Sequence, residues 1–182
     1  MENYSDKELL KLFRKGDNRN YAFNLLIQKY QQRVYWHVRR IIIDHDDTND
    51  VTQNTFIKVF HNLEKFREDS QLFTWLYRIA TNESINFLKQ KKTSFFLPFR
   101  DVEKQLSNTL KEDHYFKGDT IQKKLQLAIL KLPEKQRMVF NMKYFEGIKY
   151  EDMAIILNTS VGALKASYHH AVKKIEKILS HN

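Results

Sequence analysis

A row of cationic side chains near the end of the chain is the clearest candidate for chemistry. In the stretch SVGALKASYHHAVKKI, residues 160–175, lysines and histidines recur opposite the apolar positions of a helical pattern. Such side chains bind DNA phosphates and the edges of bases. The candidate residues are Lys165, Ser167, His169, His170, Lys173 and Lys174. The alternative is a solvated helix face, and spacing alone favours DNA binding only slightly.

A second segment mixes aromatic, polar and cationic side chains in a way that reading duplex DNA does not require. It is REDSQLFTWLYRIATNESINFLKQKK, residues 67–92. Its aromatic and aliphatic residues follow helical spacing, which predicts that they lie in the core.

Other chemistry has little support in the sequence. The stretch DHDDTND begins like a calcium loop, but Asn49 stands where the sharp turn needs Gly and Thr55 where a bidentate Glu is needed. The chain has no Cys, and its seven His do not have the spacing of metal ligands. We therefore expect no catalytic site, no metal and no cofactor, and we expect His37 and His61 to lie at helix surfaces.

Helical periods account for most of the chain. In residues 21–43 the apolar positions recur at three and four, a second helix covers 48–63, and a third follows and ends near Lys92. Residues 93–119 lose this period and contain one of the two prolines, which indicates a linker. The sequence predicts an all-α protein with two small helical domains, residues 1–92 and 120–182, joined by the linker 93–119.

The second domain is predicted to end in a helix-turn-helix. A helix of about eight residues, the turn Asn158-Thr159-Ser160 and an amphipathic second helix match the plan in which the second helix enters the major groove. The first helix is expected to bury Met153 and Leu157, with Ala154 between them. This unit would present the cationic row to duplex DNA.

Composition agrees with a nucleic-acid-binding helical protein. The chain of 182 residues has 42% hydrophobic residues, only four Gly and two Pro, and a net charge of +9. A basic balance of this size is typical of proteins that bind a polyanion. Because no long apolar run or signal peptide is present, we expect no membrane insertion and a cytoplasmic location.

Four stretches together resemble regions 2 and 4 of bacterial RNA polymerase sigma factors. They are DVTQNTFIKVF (50–60), FREDSQLFTWLYRIATNESINFLKQKK (66–92), LPEKQRMVFNMKYFEGIKYEDMAIILN (132–158) and SVGALKASYHHAVKKI (160–175). The resemblance runs in order from residue 20 to 180. Because regions 1 and 3 are missing, the chain is similar to the extracytoplasmic-function (ECF) group within the sigma-70 family.

The resemblance implies a division of labour along the chain. The helix 48–63 would bind the largest subunits of core RNA polymerase through Asp50, Gln53, Asn54 and Phe56. The loop 64–74 and the helix 75–92 would read and open the minus-10 element of promoter DNA. The residues implied there are Phe66, Arg78, Asn82, Lys89, Lys91 and Lys92. The cationic row in 160–175 would read the minus-35 element as duplex.

The sequence departs from the family pattern at several of these positions. Glu68 stands where the family usually has Gly, Asn54 where it commonly has Glu, and Lys149 where a small N-cap residue is usual. In the recognition helix, Ala166, Ser167 and His170 replace residues that are often Ser, Arg and Arg. The promoter sequence read by this chain therefore cannot be copied from a relative.

The resemblance identifies the chain as an ECF-type sigma factor without enzymatic activity of its own. It implies three partners: core RNA polymerase, promoter DNA and an anti-sigma factor that restrains the protein. The alternative left open is a stand-alone helix-turn-helix regulator, which would need a dimerisation surface and has no use for Asp50 or Gln53. A nuclease would need a cluster of carboxylates or His that the sequence does not offer.

Overall fold

The computed structural model describes residues 4–16, 18–94 and 120–180 of the 182-residue chain. The helices are α1 (Asp6–Arg14), α2 (Arg19–Ile42), α3 (His45–Asn62), α4 (Leu72–Ser94), α5 (Thr120–Leu130), α6 (Glu134–Tyr144), α7 (Tyr150–Leu157) and α8 (Val161–Ser180). A 3₁₀ turn, Leu63–Lys65, follows α3, and the described ranges contain no strand. The all-α prediction is confirmed. Residues 95–119 of the predicted linker lie outside the described residues.

The long helix α2 forms the centre of the N-terminal bundle and packs against α1, α3 and α4. Its predicted apolar stripe is buried from Phe23 to Ile41 except for the half-buried Ile27, and Val34 and Val38 are fully excluded from solvent. The next helix begins after Asp44, whose carboxylate accepts a hydrogen bond from the Asp47 backbone N–H at 3.0 Å. These contacts fix the orientation of α3 and decide which of its faces is exposed.

The first helix is anchored at both ends. Ser5 and Glu8 form a reciprocal capping box at its start. The Tyr30 hydroxyl donates to the Asp6 carboxylate at 2.8 Å, and burial raises the pKa of Tyr30 so that this donor stays protonated. At the other end, the Phe13 ring packs edge-on against Phe60 with centroids 5.7 Å apart. The last turn of α1 is therefore held at a fixed place on the bundle.

The helix-turn-helix prediction is confirmed. Asn158 ends α7 in the left-handed conformation, with φ of 48°, and turns the chain toward α8. The Ser160 hydroxyl accepts a hydrogen bond from the Ala163 backbone N–H at 3.3 Å and so caps α8. Met153 from α7 and Leu164 from α8 are fully buried. The second helix is thereby positioned with its cationic row outward.

The C-terminal helices pack onto the N-terminal bundle and share its core. α7 lies against α4, and α6 contacts α2. The Thr74 hydroxyl on α4 donates to the Asp152 carboxylate on α7 at 2.8 Å. At the end of α2, Ile43 packs with Leu130 of α5. The two domains are therefore docked in this structure.

His37 was predicted at a helix surface, and that prediction is wrong. The side chain is 1% exposed and lies in the contact between the two domains. Its Nδ1 is 3.1 Å from Oε2 of Glu146, and its Nε2 is 2.8 Å from the Thr81 hydroxyl. Because a carboxylate only accepts, the Nδ1 carries the hydrogen of this bond. His61 is exposed, as predicted.

Candidate nucleic-acid and polymerase interfaces

The cationic face of α8 is exposed along the length of the recognition helix. The exposed side chains are Lys165, His169, His170, Lys173 and Lys174, while Ser167 is half-buried. The Lys165 ammonium lies 5.9 Å from the centre of the Tyr150 ring on the preceding helix, and the two form a cation–π contact. The predicted row is therefore present as one continuous surface able to contact phosphates and base edges.

Three of the predicted minus-10 residues form a stripe on α4. Arg78, Asn82 and Lys89 are all exposed and follow one another at spacings of four and seven, so they share one face of the helix. Lys91 forms an ion pair with Asp47 of α3. The side chain of Lys92 lies outside the described residues. The stripe thus combines an amide with cations on either side.

Phe66 begins the loop that follows the 3₁₀ turn, and its ring points into the core. It is 6% exposed and packs against Trp75 with the ring centroids 5.0 Å apart. In this structure the ring stabilises the loop by packing and does not offer an open stacking surface. Leu76 and Ala80, which the spacing placed in the core, are buried as well.

The outer face of α3 is polar, and a groove lies beside it. Asp50, Gln53 and Asn54 are exposed, as their spacing opposite Val51 and Val59 requires. Phe56 is 7% exposed and lines an open groove of about 630 Å³ between α2 and α3. The lining also includes Phe23, Ile27, Gln31, Thr52, Ile57 and Phe60. Gln53 also lines this groove, whereas Asn54 lines a separate pocket between α3 and α4 and Asp50 lines neither of the two.

Sequence reasoning missed several residues that shape these surfaces. Glu146, which is 9% exposed, joins the domains through His37 and lies 3.8 Å from Arg40 Nη1. Arg14 reaches from α1 to the loop after α3, where it contacts Glu68 at 2.7 Å. Neither contact has a local signal, because the partners are 109 and 54 residues apart in the chain.

Across residues 4–16, 18–94 and 120–180, no group of three or more His, Cys, Asp or Glu side chains is arranged to hold a metal ion. None of the helices in those same ranges has the length and apolarity needed to cross a bilayer.

Two family models match this chain, one in each of its helical domains. The family description Sigma-70 region 2 matches residues 26–93, and Sigma-70, region 4 matches residues 122–175. The RNA polymerase sigma-H factor of Pseudomonas aeruginosa is 33% identical, covering 96% of this chain and 93% of that protein. The ECF RNA polymerase sigma-E factor of Escherichia coli K12 is 32% identical, covering 96% and 94%.

Two solved structures share the fold over most of the chain. CnrH, in complex with the cytosolic domain of CnrY, aligns with a TM-score of 0.71 at 22% identity over 97% of this chain and 98% of that one. The sigma factor RpoE of Bartonella quintana, in complex with the anti-sigma factor NepR, aligns with a TM-score of 0.68 at 18% identity over 87% and 96%. Both matches extend across the N-terminal bundle and the helix-turn-helix.

Proposed function

This chain belongs to the sigma-70 family as an ECF-type RNA polymerase sigma factor, and from that premise we propose which of its surfaces bind polymerase and open a promoter. Its relatives at 32–33% identity are sigma factors over nearly their whole length. The stand-alone helix-turn-helix regulator is therefore not supported. The sigma factor acts through core polymerase in the cytoplasm and has no enzymatic activity of its own.

Core polymerase binds the outer face of α3 and the groove beside it. Gln53 supplies hydrogen bonds at the edge of the apolar groove that Phe56 lines, and the exposed Asp50 and Asn54 add polar contacts on the neighbouring face of α3. An apolar centre inside a polar rim is the arrangement of a protein interface. The exposed Ile57, with 48% of its surface accessible, extends the apolar part toward the partner.

The stripe on α4 and the loop before it open and read the minus-10 element. One observation carries this part of the proposal: Arg78, Asn82 and Lys89 are exposed on one face, a set that a duplex reader does not need. The Asn82 amide both donates and accepts, so it can pair with the edge of an extruded base, while the cations hold flanking phosphates. Lys91 and Lys92 extend the cationic end of this helix. Phe66 contributes by packing on Trp75, which stabilises the loop.

The cationic face of α8 reads the minus-35 element in the major groove. Lys165 and His169, near the start of the helix, face the base edges, whereas Lys173 and Lys174 contact phosphate. Ser167, which is half-buried, and His170 complete this surface. Residues 1–92 thus serve polymerase binding and the minus-10 element, and residues 120–182 serve the minus-35 element, with 93–119 as their connection.

The docked arrangement must open for this function. The two promoter elements are about 25 base pairs apart, roughly 85 Å at about 3.4 Å per base pair. A compact chain of this length has a radius of gyration of about 16 Å, hence roughly 40 Å across. Residues 95–119, if extended, reach up to about 80 Å, which is enough to let the domains separate. The docked form therefore competes with promoter binding.

An anti-sigma factor is the expected restraint on this protein. The same fold in the Bartonella quintana sigma factor was solved with the anti-sigma factor NepR. The groove on α3 and the exposed face of α4 are the surfaces whose coverage would block initiation most directly. An anti-sigma factor that covers them would prevent polymerase binding and promoter opening together.

The polymerase surface is tested by replacing single exposed residues. We expect Asp50→Ala and Gln53→Ala each to weaken the affinity for core polymerase by about fivefold or more, since truncating a hot-spot residue costs about 1 kcal/mol or more. Affinity is measured by fluorescence anisotropy of the labelled full chain. Gln122→Ala, an exposed glutamine on α5, is the matched control. Unchanged affinity for both α3 variants would refute this surface.

The recognition helix is tested by comparing its two ends. Lys173→Ala should weaken binding of the holoenzyme to every minus-35 sequence alike and reduce the slope of log affinity against log salt by about 0.9. The double substitution Lys165→Ala with His169→Ala should instead change which sequence is preferred, by about 1–3 kcal/mol per lost base contact. Holoenzyme binding to a library of minus-35 variants measures both. An unaltered sequence preference in the double variant would place base reading elsewhere.

A further inference from the structure

The loop between α3 and α4 is held from outside by a side chain of the first helix. Arg14 Nη1 lies 2.7 Å from Oε1 of Glu68, and Arg14 Nη2 donates to the carbonyl oxygen of Phe66 at 2.5 Å. The guanidinium thus contacts two acceptors of the same loop through its two terminal nitrogens, which is the geometry in which Arg positions a partner. Both partners are 52–54 residues away in the chain.

The held segment has a backbone conformation that needs support. Glu68 has φ of 61°, in the left-handed region that side chains with a Cβ avoid and glycine adopts freely. Phe66, two residues earlier, is fixed by its packing on Trp75. The ion pair of Glu68 with Arg14 therefore compensates a strained backbone at the centre of the loop.

The helix that carries Arg14 is itself held firmly on the bundle. α1 is fixed by the hydrogen bond between Tyr30 and Asp6 and by the packing of Phe13 on Phe60. A second arginine reinforces the same segment, because Arg19 Nη1 lies 3.4 Å from Oε2 of Glu64 in the 3₁₀ turn. Arg14 is thus presented from a rigid helix end, and its direction toward the loop is set before DNA binds.

From this geometry we propose that Arg14 is a positioning residue for promoter opening, holding the loop 66–70 in the conformation that receives the minus-10 strand. The proposal rests on the proposed role of this loop and of α4 in reading the minus-10 element. Arg14 also neutralises the Glu68 carboxylate, which would otherwise repel phosphates at the same place. It touches no base itself and acts through Glu68 and the Phe66 carbonyl.

A substitution cycle in the full chain, assembled with core polymerase, tests the proposal. The variants are Arg14→Ala, Glu68→Gly and the double variant, with Lys15→Ala as a control that removes a neighbouring positive charge. Opening is followed by permanganate reactivity of unpaired thymines on promoters that differ at single minus-10 positions. We expect Arg14→Ala to slow opening about fivefold and to broaden base preference, a size between that of an exposed ion pair and that of a charged hydrogen bond.

The effect of Arg14→Ala in the Glu68→Gly variant distinguishes a role in holding the loop from a general loss of stability. Glycine adopts the positive φ without support and leaves Arg14 only the Phe66 carbonyl to hold, so Arg14→Ala should slow opening less in the Glu68→Gly background, by about twofold. Equal slowing in both backgrounds would overturn the proposal, as would slowing by Lys15→Ala as large as that by Arg14→Ala. If Asn82→Ala slows opening and Arg14→Ala does not, the inference fails and the role of α4 stands. If neither substitution changes opening, the assignment of the minus-10 surface fails with it.

Discussion

Glu146→Ala is expected to separate the two domains. The carboxylate is 9% exposed and bonded to the buried His37 at 3.1 Å, with Arg40 at 3.8 Å. Removing the acceptor of a buried hydrogen bond leaves the donor unpaired and costs about 1–3 kcal/mol, more where a charged group is involved. Other polar contacts between the domains include Thr74 with Asp152 and the Asn141 amide, which donates to the Arg40 carbonyl oxygen at 3.3 Å, and the shared apolar core stays in place. The population of the open form should therefore rise more than tenfold.

Energy transfer between two dyes measures this opening. The chain has no cysteine, so Asn24→Cys on α2 and Glu176→Cys on α8, both at exposed positions, carry the labels without interference. We expect a lower transfer efficiency for Glu146→Ala and an unchanged efficiency for Glu151→Ala, an exposed carboxylate on α7. Asp152→Ala, which removes the bond to Thr74, should shift the efficiency in the same direction.

Opening should also strengthen binding. When only a fraction of the molecules is competent, the apparent dissociation constant rises by the inverse of that fraction. Glu146→Ala should accordingly lower the apparent dissociation constant for core polymerase, promoter DNA, or both. Unchanged transfer efficiency together with unchanged affinity would contradict the competition between docking and promoter binding.

Asn82→Ala is expected to impair promoter opening while leaving assembly with polymerase intact. Extracting a base from the stack costs a few kcal/mol, which the protein must return through stacking and edge hydrogen bonds. The loss of an amide that pairs with a base edge costs about 1–3 kcal/mol, so opening should slow by roughly tenfold to a hundredfold. Permanganate reactivity of unpaired thymines follows the reaction, and core affinity is measured separately.

The control for this substitution is Asn24→Ala, an exposed asparagine on α2. It removes the same amide from a helix that carries none of the proposed minus-10 contacts. Arg78→Ala should slow opening as well but should change base preference less than Asn82→Ala, because a phosphate contact carries no sequence information. Normal opening with unchanged base preference at every minus-10 position would show that Asn82 has only a structural role.

The sequence predicted the helices and their buried faces because these depend on local periodicity. The stripe of α2 from Phe23 to Ile41 and the turn Asn158-Thr159-Ser160 follow from neighbouring residues, and both are present in the structure. His37 was placed wrongly for the opposite reason. It lies beside the apolar positions Val34 and Val38 on α2, and the carboxylate that makes its burial acceptable comes from Glu146, 109 residues further on.

The candidate surfaces were predictable as residue types but not as contacts. The resemblance named Arg78 and Asn82, yet it did not show that Phe66 turns inward onto Trp75 or that Lys91 pairs with Asp47. Both contacts depend on how α3, the loop and α4 meet. The contact of Arg14 with the loop after α3 was missed for the same reason. A lone arginine at the end of a helix is ordinarily interpreted as a favourable charge at that helix end.

Transcription in a purified system tests the central claim most directly. The full chain is mixed with core RNA polymerase and a library of DNA fragments from its own genome, and the transcript starts are sequenced. If the chain is an ECF-type sigma factor, new starts will appear only when it is present, and they will share paired elements near minus-10 and minus-35. Loss of those starts with the combined Asp50→Ala and Gln53→Ala variant would tie them to the α3 surface. The claim would be contradicted if the chain binds DNA without polymerase as a stable dimer and adds no transcript starts to those of core polymerase alone.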